Sequence, residues 1–367
     1  MSLKDLIPNE TVLAEVVAGN LSFVTKAVKD EVGHLEAEYK KFKRQQLIAA
    51  ALFISPFFLL QFTPSIFDIV APVIPTLYDE FALVIFFVSM SICAFYGFKL
   101  MFTGNEVIQR FHAGVNKILF LKVFSLLKLN GELIEHTVAN VNSNQNSKPF
   151  KNYLSTLAPP DTPERAATLN RLRESELITE SHNTNVVDNL FELWIEGRKL
   201  EGSELLIQHI TGSGKNRSVK RIFKGYFMSF ELAKRLEGKT FVSTEGDEYG
   251  FGHKAFFSGK KDEGLRETTL EWNQFEKLLH VATNNETEAR YVLTTDFMSD
   301  LYSWWESRKG NIRISFIGNR MYILFPDSKV KFNDTIPRIG TKEVEKYLLT
   351  IATPLLHVVH LIEDVRL

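Results

Sequence analysis

LIAAALFISPFFLLQFTPSIF, residues 47–67, and FALVIFFVSMSICAFYGFKLMF, residues 81–102, decide how this chain is read. Each is long enough, at about 20 residues, to cross the hydrocarbon core of a bilayer as a helix. The basic residues stand outside the pair. Lys40, Lys41, Lys43 and Arg44 crowd the entrance to the first run, and no Lys or Arg occurs in the connector, residues 64–80. Lys99 marks the inner end of the second run, with Arg110, Lys117 and Lys122 beyond it. By the positive-inside rule both termini, and everything past residue 103, face the cytoplasm. The expected layout is a two-helix transmembrane hairpin, residues 47–102, with a short external loop over 64–80. The alternative, two buried helices of a soluble core, sits poorly with the one-sided placement of charge.

Average composition hides this segregation. A hydrophobic content of 45%, a charged content of 24% and a net charge of −1 resemble those of an ordinary soluble protein. The neutral balance argues against nucleic acid as a partner, since phosphate neutralisation needs an excess of Lys and Arg. The single cysteine, Cys93, lies inside the second apolar run and excludes a disulfide framework or a thiolate zinc site. The first 40 residues are charged and amphipathic and do not resemble a cleavable signal peptide, so the first run is expected to be an uncleaved anchor.

Around the runs the apolar spacing turns helical. Val28, Val32, Leu35, Tyr39 and Phe42 recur every three or four residues, so residues 1–46 are expected to form a cytoplasmic amphipathic helix continuous with the first span. Pro56 would kink that span. Val107, Phe111, Val115, Ile118 and Leu119 continue a second helical stripe to about Leu129, where Asn130-Gly131 is a stop signal, within a cytoplasmic helical extension bounded at 103–136. The two extensions are expected side by side, with self-association of the 28–42 stripe as the alternative. Residues 137–185, of which 137–165 are rich in Asn, Ser, Pro and Thr, read as a linker with one short helix at 163–176 capped by Thr162.

Beyond residue 186 the pattern becomes that of strands. Expected strands are 187–195, 204–211, 219–231, 239–244, 254–258, 267–272, 312–317 and 321–325, the last two joined by a tight turn at Gly318-Asn319. Helices are expected at 272–280, 286–291, 296–309 and 341–365. The sum is a membrane protein whose C-terminal α+β domain, 186–367, has a largely antiparallel sheet.

Several residues invite chemistry. Thr211-Gly212-Ser213-Gly214-Lys215-Asn216 lacks the first glycine and the magnesium-binding hydroxyl of a phosphate loop and is expected to be a turn. Gly246, Gly250 and Gly252 do not fit a dinucleotide fingerprint and read as a loop. His357 and His360, one turn apart with Glu363 following, could offer two imidazoles and a carboxylate to zinc, but in an apolar stretch packing is the simpler reading. Glu286 and Arg290 stand in the favourable order for an exposed helical ion pair. Glu288 is expected to pin its helix to the sheet, through Lys224 or another strand residue. Trp304 and Trp305 are adjacent and must face different ways, one into the core and one to a surface suited to partner contact. Lys224, Glu286, Glu288, Arg290, Tyr291, Trp304 and Trp305 thus form the set of ligand- or partner-contacting candidates. No catalytic residue and no cofactor is indicated.

Phe223-Lys224-Gly225, Phe275-Glu276, the run Glu288-Ala289-Arg290-Tyr291-Val292-Leu293-Thr294, then Met298, Leu301, Ser315-Phe316 and Met321-Tyr322-Ile323 resemble an uncharacterised bacterial family of two-span membrane proteins, domain of unknown function 3137. The resemblance is close over the C-terminal half. It implies two spans ahead of a cytoplasmic domain in a bacterial inner membrane, and it brings no activity. The function expected is that of a membrane-anchored interaction or sensing module. Its partners are the lipid bilayer, a protein partner or a second copy, and a small-molecule ligand. A membrane-anchored enzyme and an oligomeric pore are the alternatives.

Overall fold

A computed structural model describes residues 10–70, 88, 90–93, 95–96, 105–135, 162–212, 216–245, 247–248, 251–252, 256–257, 264–268, 278–327 and 339–365. They divide into two compact units, Met1–Lys26 with Asn116–Leu367, and Ala27–Val115.

Helix α1, Glu10–Val70, is one element of 61 residues. The expected joining of the amphipathic segment to the first apolar run is therefore found. The helix passes Pro56 and Pro64 and reaches Val70, into the first residues of the expected loop 64–80, whose remainder lies outside the described residues. A proline inside a helix removes one backbone hydrogen bond and bends the axis without ending it when neighbouring turns hold. Of the second apolar run, only helical positions 88, 90–93, 95 and 96 fall within the described residues, so a two-helix hairpin stays untraced there. Among the described residues one helical stretch, Thr11–Ile48, is long and apolar enough to cross a membrane by length and composition. Its most apolar window has a mean hydropathy of 1.3 and is 28% buried.

Within the Ala27–Val115 unit, α1 runs antiparallel to the start of α2, Asn105–Leu126. Tyr39 stacks on Phe111 with ring centroids 4.8 Å apart. A side chain at Gly114 would meet Val32 and Leu35. Val28, Val32, Tyr39 and Phe42 of the stripe are buried.

In the larger unit, nine described strands form one antiparallel sheet in the order β1-β2-β3-β4-β11-β10-β5-β9-β8. They are β1 Asn130–Glu135, β2 Thr184–Ile195, β3 Arg198–Thr211, β4 Ser218–Glu231, β5 Lys239–Thr244, β8 Arg266–Glu267, β9 Leu279–Thr283, β10 Arg313–Ile317 and β11 Arg320–Pro326, with a separate hairpin of β6 Asp247–Glu248 and β7 Phe251–Gly252. The β10–β11 hairpin turns at Gly318, whose φ of +60° suits glycine. Helix α3, Pro163–Glu174, starts from the Thr162 cap. It lays Leu169 and Leu172 against Val187, Leu205, Phe227, Tyr322 and Leu324 on one sheet face.

The other face carries α2, α5 (Thr295–Arg308) and α6 (Thr341–Asp364), while α4 (Glu286–Val292) follows β9. Phe120 and Phe124 of α2 reach Phe191 of β2 at 5.8 and 5.9 Å. Phe297 and Trp304 of α5 meet Phe316 and Phe325 at 5.9 and 4.8 Å. With both faces covered, β4 is buried nearly without a break from Ile222 to Phe230, as central strands between two layers are.

Four expectations give way here. Residues 130–135, placed in the helical extension, are a strand paired with β2. Residues 279–283, whose start was placed at the end of a helix, form β9 against β5. Within the glycine patch expected to be a loop, Asp247–Glu248 and Phe251–Gly252 pair as two short antiparallel strands, and 246, 249 and 250 lie outside the described residues. Phe256 and Phe257, placed in a strand, are helical, and the rest of 254–258 lies outside the described residues, as do 269–277.

Candidate functional site

On the face covered by α2, α5 and α6, the antiparallel register sets four residues in one row across the sheet. Asp188 of β2 stands opposite Glu204 of β3, Glu204 opposite Tyr226 of β4, and Tyr226 opposite Phe325 of β11. Directly opposed residues hold their Cβ atoms roughly 5 Å apart, so the row brings two carboxyls and a phenol together beneath a helical layer. Asp188 is 1% exposed, Glu204 5% and Tyr226 2%.

A β-bulge builds this site. The β2–β3 register slips between Asp188 and Phe191, and Asn189 in the bulge takes a positive φ of 47°. The left-handed region is accessible to Asn at low strain. The Asn189 amide donates to Asp188 Oδ1 at 2.8 Å, closing the turn. The slip rotates Phe191 back onto the inner face, opposite Gly202. Only a glycine fits there: a Cβ at 202 would collide with the Phe191 ring.

The rest of the neighbourhood is charged and hydrogen bonded. Tyr226 Oη donates to Glu204 Oε1 at 3.5 Å, a long bond, and Glu204 Oε2 has no partner. Asp327, after β11, pairs with Arg308 of α5 at 3.1 Å. Tyr347 of α6 donates to Asn116 of α2 at 2.7 Å. Burial pushes the Glu204 carboxyl up to about 8, and the charge of Asp188 adds to it. Hydrogen bonds from Asn189 and Tyr226 pull the other way, and Asp327 adds a smaller push. The Tyr226 hydroxyl is raised well above its ordinary value, first by burial and then by the charges of Glu204 and Asp327.

The candidates taken from the sequence lie elsewhere. Glu288 sits in the first turn of α4, and its carboxylate accepts from the backbone N–H of Glu237 at 3.0 Å and of Gly238 at 2.7 Å. Lys224 is not its partner; that residue lends its carbonyl to the Asp327 amide at 3.0 Å. Asn285 caps α4, and Asn284 accepts from the Lys239 amide at 2.7 Å, so the whole corner is held by side chains accepting from backbone. Glu286 and Arg290 are exposed on the same helix. Tyr291 is 49% exposed, with the Lys234 ammonium 5.5 Å from its ring centroid.

Trp304 is fully buried, and its ring stacks on His357 at 5.5 Å. Trp305 faces outward, donating to the Glu245 carbonyl at 2.7 Å beneath the Lys309 ammonium. Burial, Arg308 and His360 hold His357 down at about 4, with Asp300 opposing. No group of three metal-capable side chains gathers among the described residues, so His357, His360 and Glu363 are not joined into a ligand set there. Gly212 turns out of β3 with a φ of +72°, as a strand connection requires.

A second buried polar group lies on the opposite face. Arg313 of β10 is fully buried, bonds Glu180 at 2.7 Å and the Leu177 carbonyl at 2.8 Å, and lies over the Phe256 ring. Its bonds staple the segment after α3 to the sheet. That role is structural.

Asp188, Glu204 and Tyr226 were not picked out of the sequence. The available signal is an acidic residue inside a strand beside an apolar pair, as in Val186-Val187-Asp188 and Glu204-Leu205-Leu206.

These features define an antiparallel-sheet domain attached to a long, partly apolar helix. Residues 221–367 match the model of a family described as protein of unknown function (DUF3137), which bears out the resemblance over the C-terminal half. No curated protein and no solved structure matches the chain.

Proposed function

We propose that this chain is a membrane-tethered, non-catalytic module, with a cytoplasmic sheet domain that binds a partner or senses a signal and long helices that relay the result to the bilayer. One observation supports the reading above the rest. Helix α1 is a single element from Leu13 and Val17, buried in the sheet-bearing unit, to the apolar run at 47–67. At 1.5 Å per residue it is about 90 Å long. A continuous helix transmits rotation or displacement along its axis, which a flexible linker does not.

The setting that goes with this reading is a bacterial inner membrane crossed by both apolar runs, with both termini in the cytoplasm, as the distribution of Lys and Arg implies. The burial of both carboxyls of the candidate site is in keeping with a sensing role. Alkaline carbonate extraction of cells expressing the full chain tests the tether. Full-length protein is expected in the pellet and is released only by detergent; release into the carbonate supernatant would overturn the reading.

A further inference from the structure

We propose that Asp188 and Glu204 form a one-proton site whose occupancy sets how firmly the sheet holds helix α2. The inference deepens the sensing reading and rests on it for its purpose, by naming the proton as the ligand.

Three observations carry it. The two carboxyls are opposed in register on neighbouring strands, both buried, and close enough that two negative charges would repel across a medium with little water. Glu204 Oε2 is buried and has no hydrogen-bond partner, so ionisation would leave charge on an oxygen that nothing solvates. Asp188 opens the bulge, and three residues on Phe191 packs against Phe120 and Phe124 of α2. A push on Asp188 is therefore a push on the turn that aims Phe191 at α2.

The surroundings do not cancel the effect. Tyr226 from β4 donates to Glu204, and Asn189 of the bulge bonds it. Asp327, at the end of β11, adds further negative charge. Arg308 of α5 is engaged by Asp327. Tyr347 of α6 raises the Tyr226 hydroxyl further, and its own hydroxyl is given to Asn116 of α2. With the proton present the pair holds one negative charge. Loss of that proton to solvent leaves two, the strands separate at the bulge, and Phe191 withdraws from α2.

The test uses the full chain in detergent micelles, so that it does not depend on membrane insertion. Infrared difference spectra follow the protonated-carboxyl stretch, and hydrogen exchange follows the amides of α2 after correction for the intrinsic pH dependence. In the wild-type chain the stretch is expected to fade as pH rises through about 8, and α2 exchange to accelerate roughly tenfold or more over the same interval. Glu204→Gln, neutral at every pH, is expected to lose the titrating band and keep α2 slow throughout. Asp188→Asn, a second variant should the first fail to fold, is expected to move the midpoint to lower pH. A titrating band that survives Glu204→Gln, an unmoved midpoint in Asp188→Asn, or equal α2 acceleration in wild type and Glu204→Gln would overturn the proposal. Failure of the tether would show as release into the carbonate supernatant and leave these spectra unchanged.

Discussion

Glu204 and His357 set opposite limits on the pH range of the folded domain. The folded chain keeps a proton on Glu204 up to about pH 8, whereas the unfolded chain releases it near its ordinary value of 4.5. Stability from this group is therefore full below 4.5 and is lost as pH rises through 8. His357 has the reverse sign. Its folded value of about 4 lies below the ordinary 6.5, so its contribution is present above 6.5 and lost as pH falls toward 4. Denaturant unfolding at a series of pH values is expected to give a stability maximum between these limbs. Glu204→Gln should flatten the alkaline limb and leave the acid limb in place; an alkaline limb unchanged in that variant would show that another group causes it. None of this could be read from the sequence, because an acidic residue in a strand is silent until its cross-strand neighbour is known. Asp188 and Glu204 are 16 positions apart in the chain, and only the register of two strands joined at Glu196-Gly197 puts them opposite.

At the scale of elements, local pattern located most of the structure. Strand β5 occupies the expected Lys239–Thr244, and α4, α5 and α6 fall within a residue or so of expectation, because caps such as Thr162, Asn285 and Thr294 announce helix starts in the sequence itself. Strand β1 was illegible for a physical reason. Its six residues show too little alternation to stand out, and they become a strand only by pairing with β2, more than 50 positions later. The helix before it does end where Asn130-Gly131 suggests, with Lys128 in the left-handed conformation and the Leu129 amide returning to the Phe124 carbonyl at 2.8 Å. The Phe223-Lys224-Gly225 motif also acquires a cause. A Cβ at Gly225 would strike the Phe325 carbonyl and Pro326 of the neighbouring strand. Gly225→Ala must part β4 from β11, and a loss of about 2–4 kcal/mol is expected, in the range of strain at closely packed sites. Urea unfolding measures it, and a loss below about 0.5 kcal/mol, typical of a neutral surface change, would show that the strands can separate there without penalty.

For the molecule as a whole, the sheet domain is anchored by burial on both of its faces, and α1 is its one described continuous connection to the apolar run at 47–67. The domain matches a family without assigned activity over 221–367. The membrane assignment rests on the segregation of basic residues around residues 47–102 and on the continuity of α1. The assignment can be tested in one experiment that reports which side of the bilayer each part occupies. A cysteine-free chain, with Cys93 replaced by serine, would carry one new cysteine, either in the connector as Thr76→Cys or at the exposed start of β4 as Ser218→Cys. Intact spheroplasts are then treated with a membrane-impermeant maleimide, before and after lysis. Labelling of Thr76→Cys in intact spheroplasts, with Ser218→Cys labelled only after lysis, is the result the account predicts. Labelling of Ser218→Cys from outside, or of neither position until lysis, would contradict it.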